Sequence, residues 1–142
     1  MGKIERILKE LTVEHTDLLK KIKDFQERLE SDFSDELIDE ILKFLDEELE
    51  EHARKEEEDL VDAIEEADAT FDSGALIFGH QTLVDAIDDF KTAVDEYRKG
   101  KSSQKDVVKY ADRVFTLIKD HFIEEEHFLF PDILKLDLER FE

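Results

Sequence analysis

Residues 15–25 read HTDLLKKIKDF, and residues 80–90 read HQTLVDAIDDF. In the first copy the apolar residues Leu18, Leu19, Ile22 and Phe25 recur in steps of three and four, the period of one face of an α-helix and not the alternation of a strand. The second copy repeats Leu83, Ile87 and Phe90 in register. Working outward, Ile4, Ile7, Leu8 and Leu11 continue the stripe toward the N-terminus and Leu29 continues it toward the C-terminus. Val94 and Tyr97 extend the second copy up to Gly100, where Arg98 and Lys99 precede a residue suited to close a helix.

Two further stripes complete the pattern. One opens after Ser34, with Asp35 and Glu36 in its first turn, and carries Ile38, Ile41, Leu45, Leu49, Leu60, Ala63 and Ala67. The other opens near Ser103 and carries Val107, Tyr110, Val114, Leu117, Ile118 and Phe128, with Pro131 expected to end or bend it. The connections, about residues 31–34, 68–73 and 99–103, are short, so neighbouring helices should be antiparallel. The expected fold is all-α, an up-down-up-down four-helix bundle, with residues 132–142 as a short extra helix on the bundle end. No Gly/Pro/Ser linker divides residues 1–142, so one domain is expected.

The chain of 142 residues is 43% charged, yet eleven Phe at regular spacing argue for a packed core and against disorder. Its net charge of −21 opposes binding to phosphate backbones and to anionic membrane surfaces. The absence of cysteine removes disulfides, thiolate zinc sites, thiolate-held iron–sulfur clusters and cysteine nucleophiles together. Any metal must therefore be held by nitrogen and oxygen. No apolar run approaches the roughly 20 residues needed to cross a bilayer, and the N-terminus offers no apolar signal segment, so a cytoplasmic protein is expected.

Each stripe is interrupted, and the interruptions are polar. His15 stands between Leu11 and Leu18; His52 and Glu56 stand between Leu49 and Leu60; His80 stands between Leu76 and Leu83; His121 and Glu125 stand between Ile118 and Phe128. If about three helix positions in seven face inward, the chance that four given histidines all do so is roughly 3%. Counted from the nearest turns, His15 and His52 lie at similar heights, as do His80 and His121. The join between the second and third helices fits less well, so the second helix should end early or overhang. At an offset of 69 residues, His52, Glu56, Glu57, Leu60 and Ile64 match His121, Glu125, Glu126, Leu129 and Ile133, which implies a site of two equivalent halves.

A single inward histidine is ordinarily a satisfied core residue. Four imidazoles and two carboxylates in one layer, with no Lys or Arg on the seams to pair them, would be costly to bury without a cation. His and Glu at i and i+4 share a helix face, so each pair can serve one metal or let the carboxylate bridge two. The count fits a dinuclear centre, with two imidazoles for each metal, one oxygen from each bridge and open positions left over. Such donors suit Fe, Mn or Zn better than Mg or Ca. The remaining alternative is an acidic bundle whose polar layer holds adventitious zinc or nothing. His127 falls about 240° off the seam and reads as a surface residue. Glu57 and Glu126 could support the ligands from behind, although a solvated face is the preferred reading. Tyr97 and Tyr110 read as core residues at the far end, and the acidic run around Glu47–Asp59 as solvated surface apart from Glu56.

These residues resemble the hemerythrin-like family, whose HHE cation-binding motif occurs twice: His15 with His52-x-x-x-Glu56, and His80 with His121-x-x-x-Glu125. The similarity spans residues from about 10 to 131 and includes the ending Glu125-Glu126-His127-Phe128-Leu129-Phe130-Pro131. It implies a bundle around a non-haem di-iron centre, with Glu56 and Glu125 bridging and an oxo or hydroxo bridge between the irons. The oxygen-carrying members have a further histidine one turn away on the third helix. Here the positions four from His80 are Leu76 and Val84. The second carboxylate is Glu125 at i+4, where the carriers use an Asp at i+5. The resemblance therefore implies a nearly symmetric centre binding dioxygen for sensing, storage or delivery. Its rivals are an enzyme that reduces nitric oxide or decomposes peroxide, and a role in iron repair or iron sensing.

Overall fold

A computed structural model describes residues 3–67 and 74–140. Four helices run up and down: α1 (Lys3–Ser31), α2 (residues 35–67), α3 (Gly74–Arg98) and α4 (residues 104–140). Among the described residues there is no strand. The expected connection at 68–73 lies outside the described residues.

The ends of the helices follow from local chemistry. The Ser34 hydroxyl accepts a hydrogen bond from the Leu37 N–H at 3.1 Å, beside the acidic first turn of α2. At the start of α4, Ser103 and Asp106 satisfy each other's backbone N–H groups as a capping box. Gly100 ends α3 with φ 77°; its N–H bonds Tyr97 O at 3.0 Å while the Lys101 N–H bonds Glu96 O at 2.8 Å, the paired closure that favours glycine. Ser103→Ala removes one half of the box and is expected to cost about 1 kcal/mol, read as a lower denaturant midpoint at unchanged slope.

The core falls into two apolar clusters. The larger gathers Ile22, Phe25, Ile41, Phe44, Phe90 and Phe115 with their neighbours, and Tyr97 and Tyr110 pack partly buried against it, as expected. The smaller joins Ile4, Leu8, Leu11, Leu60, Ile64, Phe130 and Ile133. Along α1, α2 and α4 the chain passes from one cluster to the other through His15, through His52 and Glu56, and through Glu125 respectively, so a buried polar layer separates the two. Exposed pairs such as Lys91–Asp46 and Arg98–Asp39 tie α3 to α2 and set register more than they add stability.

α2 and α4 are not uniform helices. α2 contains π turns at Phe44–Leu49 and Lys55–Leu60, and α4 contains one at Glu125–Leu129. Each widens the helix by a residue and shifts the phase of the turns beyond it. This corrects one seam position: Phe128, expected inside, is 67% exposed, and Phe130 takes its place in the core at 4%. Pro131 does not end α4. The Phe130 N–H reaches back five residues to Glu125 O, and the widened turn relieves the clash a proline ring makes with the preceding turn. The expected C-terminal helix is thus present as Phe130–Arg140, continuous with α4. Of the two outcomes expected for α2, the overhang is the one found: its end, Val61–Ala67, packs on α1 and on the end of α4.

Candidate metal centre

Helix periodicity stacks His52 over Glu56 on α2 and His121 over Glu125 on α4, while α1 and α3 each contribute one imidazole, His15 and His80. Five of these side chains are buried, Glu56 completely, and His121 is the most open with 11% of its side chain exposed. Glu56 stands at the centre. Its Oε1 lies 2.7 Å from His52 Nε2 and 3.7 Å from His15 Nε2, and its Oε2 lies 2.8 Å from His80 Nε2 and 3.9 Å from His121 Nε2. Glu125 Oε1 sits 3.2 Å from His15 Nε2 and 3.5 Å from His121 Nε2. The six residues form two overlapping groups able to hold a metal ion: His15, His52, Glu56 and Glu125, and Glu56, His80, His121 and Glu125, the donor atoms of each within 4.8 Å of one another.

The donors are poorly satisfied by one another. Both ring nitrogens of His15, Nε2 of His52 and of His121, Oε1 of Glu56 and both oxygens of Glu125 are buried without a hydrogen-bond partner. Orphaned polar atoms at this density are rare in a native interior. Their convergence from four helices is what a cation would resolve, because neutral imidazoles and carboxylates then become ligands. The charges point the same way. Burial and the adjacent Glu56 push the Glu125 carboxyl up to about 12. For Glu56 burial acts upward too, but contacts from His121, His15, His52 and His80 outweigh it and hold the group well below the usual carboxylate range. Burial and the neighbouring charge thus oppose ionisation of both carboxylates together, a cost that a cation would relieve.

Carboxylates stand behind three of the imidazoles. Glu57 Oε1 lies 2.8 Å from His80 Nδ1, Glu126 Oε2 lies 3.3 Å from His15 Nδ1, and Glu14 Oε1 lies 2.9 Å from His52 Nδ1 while its other oxygen accepts from Lys55 Nζ at 2.6 Å. The preferred solvated reading is corrected for Glu57, which is 45% exposed yet hydrogen-bonded to His80 Nδ1; Glu126, 34% exposed, comes within 3.3 Å of His15 Nδ1 without a hydrogen bond. Glu14 is an outer carboxylate that the seam pattern does not mark. The available signal was its position, one residue before an inward histidine and so on the flank that faces the next helix. His15 is further fixed by stacking on Phe122, with centroids 3.9 Å apart and planes 12° apart. His127 is exposed, as expected, and so is the acidic surface of α2 around Glu56.

Beside the donors lies a cavity of about 130 Å³, with Leu45, Leu49, Leu83, Val84 and Ile87 on its apolar walls and His52, His80 and His121 at its polar end. Among the described residues no helix is long and apolar enough to cross a membrane.

An all-helical bundle with two overlapping His/Glu donor sets in its core defines a protein built to hold metal cations. The chain belongs to the hemerythrin family: the Hemerythrin HHE cation binding domain matches residues 6–133. No curated protein and no solved structure matches it.

Proposed function

We propose that the chain is a cytoplasmic non-haem di-iron protein that binds dioxygen for sensing, storage or delivery. His15 and His52 would hold one iron and His80 and His121 the other, with Glu56 and Glu125 common to both donor sets. The observation that supports this reading is the overlap of the two donor sets, which share both carboxylates and no imidazole. Bound iron supplies the reversible redox and ligand-accepting chemistry that no side chain of this cysteine-free protein offers. Manganese or zinc would satisfy the same donors; a bridged ferric pair would colour the protein in air, whereas zinc would leave it colourless, and metal analysis separates iron from manganese.

The residues themselves bind, orient and exclude water. Glu57 and Glu14 set the rings of His80 and His52 so that each Nε2 faces inward, and stacking on Phe122 holds the ring of His15. Leu45, Leu49, Leu83, Val84 and Ile87 line a mainly apolar approach to the donors, with Glu50 and Glu57 also on its wall. A second reading, reduction of nitric oxide or decomposition of peroxide, is favoured by one observation: each donor set has only two imidazoles, which leaves positions free on both sides. Stopped-flow mixing of the reduced, iron-loaded protein separates the two. The expected result with dioxygen is a stable new band that reverses under argon. Sustained consumption of nitric oxide or peroxide without such a band would move the assignment to the enzyme.

A further inference from the structure

We propose that the two metal positions are unequal, and that Glu14, braced by Lys55, makes the His15/His52 position the one that holds its ion longer. The inference rests on the reading of the six residues as ligands.

The two halves of the chain nearly repeat, α1 onto α3 at an offset of 65 residues and α2 onto α4 at 69. The repeat keeps two outer carboxylates: Glu57, on His80, corresponds to Glu126, on His15. It does not keep the third. The counterpart of Glu14 is Gly79, and the counterpart of Lys55 is Glu124, so the second half has neither the carboxylate nor the ammonium. The structure shows the consequence. Glu14 bridges His52 Nδ1 at 2.9 Å and Lys55 Nζ at 2.6 Å, joining α1 to α2 across the first half-site. Among the described residues no carboxylate is paired with Nδ1 of His121, whose side chain is the most open of the six and borders the cavity.

A carboxylate on Nδ1 fixes the ring and raises the basicity of the ligating Nε2, and losing such a partner typically costs about 10–100-fold in metal affinity. At the first position His52 carries the braced Glu14 carboxylate, while His15 is stacked on Phe122 and has Glu126 3.3 Å from its Nδ1 without a hydrogen bond. At the second, His80 is hydrogen-bonded to Glu57, while His121 borders the cavity with no outer carboxylate on its Nδ1 among the described residues. The second position is therefore the labile one.

The test uses the full chain loaded with zinc(II) and mixed with excess chromogenic chelator, after the bound zinc has been counted. Two release phases of equal amplitude are expected. Glu14→Gln, a partly exposed substitution of equal size, should accelerate the slow phase about 10–100-fold and leave the fast phase unchanged. Glu57→Gln, which removes the support of His80, should accelerate only the fast phase. A purely structural effect would move both phases together. Single-phase release from the unaltered protein, or Glu14→Gln acting on neither phase or on both equally, would overturn the inference. Loading of fewer than two zinc ions would instead overturn the ligand assignment, and the inference with it.

Discussion

Glu56→Ala is expected to empty both halves of the centre at once. Oε1 of this carboxylate faces His52 and His15 and Oε2 faces His80 and His121, so each donor set loses an oxygen when it is removed. Loss of a direct ligand on both sides should weaken binding beyond the roughly 10–100-fold that removal of an outer partner costs. The iron content of the purified, desalted variant should fall from two per chain to a small fraction of one. Glu58→Ala, two residues away on the exposed face of the same turn, should leave it unchanged. Full occupancy in Glu56→Ala would show that this carboxylate is not the bridge.

The second large effect is on stability. In the metal-free protein the layer buries two carboxylates against four imidazoles, with Glu125 pushed up to about 12 by burial and by Glu56. An ion that binds only the folded state adds about 4 kcal/mol when its free concentration is a thousand times its dissociation constant. Two ions add on the order of 8 kcal/mol, and at about 2–4 °C per kcal/mol for a chain near this size, chelation should lower Tm by on the order of 15–30 °C. Protons compete for the same donors, so the gap should narrow as the pH falls. Calorimetry with excess iron(II) under argon and with excess chelator measures it. Glu56→Ala should unfold at nearly the same temperature in both conditions. Metal loss without a change in Tm would separate the centre from folding.

How much of this was legible in the sequence depended on what replaces what. A ligand directed at the core must occupy a seam position, so His15, His52, Glu56, His80, His121 and Glu125 showed as polar breaks in apolar stripes. The caps at Ser34 and Ser103 and the closure at Gly100 were legible because each is local chemistry within a few residues. The π turns were not, because a constant 100° per residue leaves no place for an inserted one. The Glu125–Leu129 turn exchanges Phe128 for Phe130 in the core and lets α4 pass through Pro131, which by itself reads as a helix end. Outer carboxylates are legible only in part: Glu57 and Glu126 sit beside the ligand carboxylates and offer that role alongside a solvated one, whereas Glu14 meets its imidazole on the next helix and on its own helix looks like an ordinary solvated acid.

The pairing of two ions through shared carboxylates is tested most directly by anomalous diffraction above and below the iron absorption edge, on crystals of protein purified without a polyhistidine tag. Two iron peaks are predicted within the layer, one beside His15 and His52 and the other beside His80 and His121, with Glu56 and Glu125 touching both. A single peak, no iron peak, or peaks away from these six side chains would contradict the account.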